Sequence, residues 1–324
     1  MKSTLFGLLL VLFLVPGLSQ ETQQQQQEQD DTFRIGVDVS QVFLSVNARS
    51  VNGGFATDLA KDDFQVFEQG VRQEIVNFSS DRVPVHVVLL IDSSGSTRYA
   101  QGEIRRAALQ FAREMGEEDR VAVITFNAAA RLILNWTNDQ ERIQLALERI
   151  YAKGPTVLHD ALYVTFDDLM QGIEGRKAVI LLTDGVDTGS LVGMDEAAEL
   201  SIRSESMIYV VSKLDEYWQM AIQQRFQFQA AGRPVPRELT DDYIIEVRRA
   251  LRRIAETSGG KILDTRNGGL IDIYAQVAEE LKNQYYLSYS PSERAHSGRW
   301  REIQIRADLR PDVVVSTRKG YYAP

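Results

Sequence analysis

The sequence contains no cysteine and only three histidines in 324 residues. Without thiols there can be no disulfide, thiolate metal site, thiol catalysis or cysteine-linked lipid anchor. Positive charge is also in short supply: 36 Lys and Arg stand against 45 Asp and Glu, a net charge of −9. A basic face is what grips phosphates irrespective of sequence, so nucleic acid is not an expected partner. Cations, or partners bridged by a cation, suit this balance better. Nothing beyond the first twenty residues is apolar over the length of about 20 that a membrane-spanning helix needs, so no transmembrane segment is expected in the mature chain.

What is present is an ordinary globular composition, 44% hydrophobic and 25% charged, in a chain long enough for one medium domain and a smaller one. At the N-terminus Lys2 precedes the apolar run Leu5 to Val15, and Pro16, Gly17 and Ser19 supply a breaker and small residues. This is the pattern of an export signal over residues 1–19, which places the mature protein in the periplasm or outside the cell. Residues 20–32, rich in Gln, have too little apolar content for a core and are expected to form a disordered linker.

From 33 to 80 the texture is that of strands: alternation in VDVSQVFLSVN, a turn at Asn52, Gly53 and Gly54, then FQVFEQG and EIVNFSS joined around Gly70. Residues 84–283 differ. The runs VHVVLLI, VAVITF, AVILL and MIYVV alternate with helical stripes such as Ile104, Ala108, Phe111 and Met115, or Leu158, Leu162, Phe166 and Leu169. Strands apolar on both faces, separated by amphipathic helices, indicate a doubly wound, mainly parallel, Rossmann-like α/β sheet. Its last helices are expected at 241–257 and 270–282. Strand texture returns over 284–324, and neither flank alone has enough strands for a stable sheet pair. Together they make six or seven, so residues 33–80 and 284–324 are expected to form one β-sandwich into which the α/β domain is inserted.

The stretch that carries chemistry is Ile91-Asp92-Ser93-Ser94-Gly95-Ser96-Thr97, directly after the most apolar strand. That is the carboxyl edge of the sheet, where open α/β domains bind ligands. Asp-x-Ser-x-Ser across a tight loop can turn one carboxylate and two hydroxyls to a single point, an all-oxygen set that selects hard cations such as magnesium. Alone the pattern is weak, because a helix N-cap with solvated hydroxyls looks the same. Two further segments strengthen it. Gly154-Pro155-Thr156 precedes a helix, and Leu181-Leu182-Thr183-Asp184-Gly185 ends a second buried strand with a carboxylate; parallel strands would bring both to the edge that holds Asp92.

DSSGS, GPT and LLTDG together resemble the metal-ion-dependent adhesion site of von Willebrand factor A domains. The resemblance implies that Ser94, Ser96 and Thr156 are hydroxyl ligands and that Asp92 and Asp184 act through bound water. All five positions match. The cofactor implied is Mg2+, with Mn2+ or Ca2+ as alternatives, and the role implied is protein–protein interaction or cell adhesion through a partner's Asp or Glu. KDDFQVFEQG, GRKAVILLTDGVDTGS and TRKGYYAP further resemble the VWFA-related domain family of acidobacteria, over nearly the whole mature chain. Residues 215–240, with Trp218, Phe226 and Phe228, look longer than a simple link. They read either as an extra helix packing those aromatics on the core or as a partner-binding lid.

The rival function is a metal-dependent hydrolase outside the cytoplasm. It needs a base beside the metal, and of His86, His159 and His296 only His159 could approach. No Ser-His-Asp pairing, HExxH or phosphate-binding loop with supporting context occurs. No catalytic residue is therefore expected. Asp187, Thr188 and Ser190 read as a solvated loop rather than a second ion site, and Arg248, Arg249, Arg252 and Arg253 as the solvated face of a helix.

Overall fold

The computed structural model describes residues 41–292 and 298–323. The export signal, the Gln-rich linker, the first residues of the N-terminal strand segment and His296 lie outside them. Four strands open the described chain: β1 (Val42–Ser50), β2 (Gln65–Glu68), β3 (Val71–Gln73) and β4 (Ile75–Ser79). The α/β part follows with β5 (Val85–Asp92), α1 (Gln101–Glu114), β6 (Arg120–Phe126), β7 (Ala130–Thr137), α2 (Gln140–Glu148) and α3 (Leu158–Tyr163). It continues with β8 (Arg176–Thr183), α4 (Met194–Arg203), β9 (Met207–Ser212), α5 (Leu214–Ala230), α6 (Asp241–Thr257), β10 (Ile262–Asp264) and α7 (Leu270–Lys282). Four strands close the chain: β11 (Tyr285–Tyr289), β12 (Trp300–Arg306), β13 (Val313–Ser316) and β14 (Gly320–Tyr322).

The central sheet has the order β10-β9-β8-β5-β6-β7, parallel except for β7 at one edge. Its inner strands are buried on both faces, which is why they read as unbroken apolar runs. Val87, Leu89 and Ile91 of β5 meet α1, α2 and α7, while Val88 and Leu90 meet α3, α4 and α6. β7 is absent from the sequence expectation. Its residues Arg131, Leu132 and Asn135 are exposed and it pairs on one side only, so it carries neither a continuous apolar run nor a clean alternation.

After β5 the chain turns one way, through α1, to β6; β8, reached later through α2 and α3, lies on the other side of β5. The carboxyl end of β5 is thus the point where the strand order reverses, the place at which open α/β sheets bind ligands. Asp92 stands at that point.

The outer segments form two four-stranded antiparallel sheets, β13-β1-β11-β4 and β14-β12-β2-β3, around one apolar core with Leu44, Val46, Val66, Leu287 and Ile303 inside. Each sheet mixes strands from both ends of the chain. Among the described residues there are eight strands rather than six or seven, the surplus coming from pieces as short as Val71–Gln73 and Gly320–Tyr322, three residues each. Glu68 is buried at 1% exposure between these sheets. It accepts hydrogen bonds from Arg301 Nε at 2.8 Å, Tyr289 Oη at 2.5 Å and Tyr321 Oη at 3.2 Å. Taking away the cation would leave a buried carboxylate short of its charge partner, at a cost of roughly 3–5 kcal/mol. Arg301→Met is therefore expected to lower the unfolding free energy by about that amount in chemical denaturation; a loss within about 0.5 kcal/mol, as at an ordinary surface position, would contradict the role given to this network.

A second polar knot joins the sandwich to the α/β part. Glu280 of α7, 2% exposed, accepts from Asn47 Nδ2 at 3.1 Å and Arg49 Nη2 at 2.7 Å, both on β1, and pairs with Lys261. Gln284 donates to Asn47 Oδ1 at 3.0 Å, and Arg176 at the start of β8 donates to Leu281 O at 2.7 Å. No helix among the described residues is long and apolar enough to cross a membrane.

Candidate functional site

Three loops meet at the carboxyl edge of the central sheet. The first begins at Asp92, which is fully buried; its Oδ1 accepts the Ser94 N–H at 2.8 Å and so curls the backbone back over the strand end. Thr97 Oγ1 closes the turn by donating to the carbonyls of Asp92 and Ser94, at 3.1 and 3.0 Å. Ser93 anchors the loop laterally: its N–H and Oγ both reach Phe126 O, at 2.8 and 3.0 Å, and its carbonyl accepts from Lys153 N at 2.8 Å. With its backbone held at these points, the loop brings Ser94 Oγ within 2.9 Å of Ser96 Oγ.

The second loop carries Thr156. Gly95 N donates to Gly154 O at 3.1 Å, tying this loop directly to the first, and Thr156 N donates to Thr188 Oγ1 at 3.0 Å, tying it to the third. The third leaves β8 at Thr183 and Asp184. Asp184 is 4% exposed and its Oδ1 accepts from Val186 N at 3.0 Å. Gly185 has φ +79°, and a Cβ there would lie 2.6 Å from Val247 Cγ1 and 2.8 Å from Leu251 Cδ1 on α6. A side chain would therefore be opposed by both backbone and packing.

The electrostatics follow from burial. Desolvation first, and the negative field of Asp184 second, push the Asp92 carboxyl up to about 7. Burial also raises Asp184, against hydrogen bonds from Ser96 and the Val186 amide. Two buried carboxylates repel across a gap whose other walls are hydroxyls, a charge arrangement that a bound cation would relieve. Among the described residues no group of three or more His, Cys, Asp or Glu side chains is placed to hold a metal. The set at this edge is chemically different, two carboxylates with Ser94, Ser96 and Thr156, and all-oxygen donors of this kind fit magnesium or manganese.

Hydrogen bonds and charge coupling bring Asp92, Ser94, Ser96 and Asp184 together, and the Gly95–Gly154 bond brings the loop of Thr156 against them. Thr183 is a member that sequence reasoning missed: its Oγ1 donates to Asp92 Oδ2 at 3.3 Å and accepts from Gly185 N at 2.9 Å. It stands beside Asp184 in LLTDG, where a buried hydroxyl ending an apolar strand was the available signal. His159 lies on the first turn of α3, with Nδ1 3.2 Å from Val192 O and 3.9 Å from Asp187 Oδ2. Asp187 is occupied with its own loop, accepting from Ser190 N, Gly189 N and Ser190 Oγ at 3.0, 3.2 and 2.5 Å and from His159 N at 3.2 Å.

Residues 214–230 form α5, so the stretch is a helix, yet its aromatics divide: Trp218 packs on the core while Phe226 is 66% exposed. Arg248, Arg249, Arg252 and Arg253 are exposed along α6, and Arg248 pairs with Asp215.

A doubly wound sheet with a loop-built, oxygen-rich site at its switch point defines a class of ligand-binding α/β domains. Within it, the sequence model of the von Willebrand factor type A domain matches residues 87–186. Over that span the chain matches the von Willebrand factor type A domain, and such domains serve protein–protein interaction or adhesion in general. It is 34% identical over 110 residues to the uncharacterized protein sll0103 of Synechocystis, an overlap covering 32% of this chain and 26% of that protein. The chain thus matches only about a quarter of that relative's length. Among solved structures it is similar to a von Willebrand factor type A protein from Catenulispora acidiphila, with 13% identity, TM-score 0.45, and coverage of 82% of this chain and 68% of the other. An aerotolerance-related membrane protein from Bacteroides fragilis gives 18% identity, TM-score 0.44, and coverage of 61% and 98%.

Proposed function

We propose that the domain binds one divalent cation, Mg2+ or in its place Mn2+ or Ca2+, and uses it to dock a protein partner through an Asp or Glu of that partner. Ser94, Ser96 and Thr156 would hold the ion by their hydroxyls, with Asp92 and Asp184 behind them. The bound ion would supply a positive attachment point for an outside carboxylate. The observation that carries this reading is the opposed burial of Asp92 and Asp184 beside a pair of serine hydroxyls 2.9 Å apart.

The surface around the site supports a macromolecular partner. Tyr99 beyond Ser96, Tyr151 before Thr156 and Leu191 beyond Asp187 are 99%, 73% and 96% exposed. Each of the three segments thus offers a large apolar side chain to solvent, and aromatic anchors of this kind often carry interface energy. A hydrolase would need a base aimed at the ion's ligands, whereas His159 Nδ1 sits against the Val192 carbonyl of the loop that follows β8. Export is proposed from the N-terminal apolar run alone, with the periplasm or the exterior as destination.

Calorimetric titration of the purified chain with Mg2+ and Mn2+ tests the metal reading. About one ion per chain is expected to bind, and Asp92→Ala is expected to lose it while keeping its far-ultraviolet dichroism. Equal binding by the folded variant would remove the site.

A further inference from the structure

At the opposite end of the central sheet, where β8 begins, a cleft of about 560 Å3 opens between the α/β part and the sandwich. Its size lies within the roughly 300–1,000 Å3 usual for small-molecule sites, and junctions between domains are favoured places for them. The walls include Phe43 and Tyr286 from the sandwich, Arg176 and Lys177 from β8, and Glu205 and Arg318.

The cations of this wall are poorly matched. Arg318 is 7% exposed; its Nη2 donates to Phe43 O at 3.1 Å and its Nη1 lies 2.9 Å from Glu205 Oε1 without hydrogen-bond alignment, while its buried Nε has no hydrogen-bond partner among the described residues. Arg176 is 4% exposed and spends its donors on the neutral acceptors Val83 O, Leu281 O and Gln284 Oε1. Lys177 is half-buried, and no hydrogen bond or ion pair among the described residues engages its ammonium. Burial lowers its proton affinity; the Arg318 charge acts in the same direction and the Glu205 carboxylate opposes it, as expected of a cation short of a full partner. Unsatisfied buried donors of this kind are uncommon in folded proteins and call for a ligand or water.

We propose that this cleft binds a small monocarboxylate with an apolar body, its carboxylate held by Lys177 and Arg318 and its body lying along Phe43 and Tyr286. Three cations, Arg176, Lys177 and Arg318, face the carboxylates Glu174 and Glu205 in the lining, which leaves one positive charge to neutralise. A single carboxylate balances that excess, whereas a phosphate dianion exceeds it. Phe43 is stacked on Tyr286, with ring centroids 5.7 Å apart and planes 10° apart, and remains 46% exposed. The pair gives an apolar body a flat surface beside the cations. The site is remote from Asp92 and independent of any metal there.

Ligand-observed NMR and calorimetry on the whole chain in EDTA test this with three probes: phenylbutyrate, phenylbutylamine and inorganic phosphate. EDTA keeps the carboxylate from finding a cation at the other edge of the sheet. Phenylbutyrate is expected to bind saturably with a stoichiometry of one. Lys177→Met, which keeps the apolar stem, is expected to weaken it roughly 10- to 100-fold, the loss typical of a charged hydrogen bond. Phe43→Ala, at an exposed ring, should weaken it as well, while the amine and phosphate should not compete. Absence of saturable phenylbutyrate binding, unchanged affinity in both variants, or phosphate binding as tightly as phenylbutyrate would each overturn the proposal.

Discussion

Deleting residues 284–324 is expected to strip amide protection from Val42–Ser50 and Ile75–Ser79 in hydrogen exchange, at the far end of the chain from the cut. β1 lies between β11 and β13, and pairs with residues Tyr285–Tyr289 on one side and Val313–Ser316 on the other. Among the described residues β4 pairs only with β11, and β2 would keep only the three-residue β3. What remains is two lone strands, β1 and β4, and the short β2–β3 hairpin, none of them stable by itself in water. The apolar core of the sandwich would lose Tyr285, Leu287, Tyr289, Ile303 and Val313 together. The central sheet takes none of its strands from this segment, so its inner strands should stay protected. If β1 remained fully protected in the truncated chain, the interleaved pairing of the two flanks would be wrong.

The second large effect concerns the metal. A ligand that binds only the folded state at 100 times its dissociation constant adds about 2.7 kcal/mol of stability. For a chain of this size that corresponds to a rise in melting temperature of roughly 4–5 °C. The wild type is expected to show such a rise when Mg2+ replaces EDTA. Asp184→Asn should show little of it, yet in EDTA the variant should melt above the wild type. The amide oxygen can still accept from Val186 N, while the buried charge that opposes Asp92 is gone. The crossing of the two curves is the informative result, because a simple folding defect lowers the melting point in both conditions. Equal metal shifts in both proteins would place the ion elsewhere.

The central sheet was legible because its inner strands are buried on both faces, and a run such as VHVVLLI is too short and too rich in β-branched residues for a buried helix. The helices α6 and α7 were equally clear, since Gly259 and Gly260 stop one and a regular apolar stripe defines the other. β7 was not, because an edge strand that meets the sheet on one side and solvent on the other needs few buried residues, here Leu134 and Thr137. At the candidate site the spacing of Asp92, Ser94 and Ser96 is local, so sequence alone could present it. That Thr183 would turn back to Asp92 Oδ2 depends on two strands being neighbours in register, Ile91 beside Leu182, which no local pattern contains. The two sides of the aromatic stretch in α5 also escaped a sequence reading. Trp218 and Phe226 are eight residues apart, and on a helix that separation returns only part of the way to the same face.

The most direct test of the central claim is the anomalous signal of Mn2+ diffused into crystals of this protein. A single strong peak is predicted at the carboxyl edge of the central sheet, enclosed by Asp92, Ser94, Ser96, Thr156 and Asp184. A peak held instead by Asp160 and Asp187, or none at that edge in a crystal saturated with the ion, would contradict the assignment.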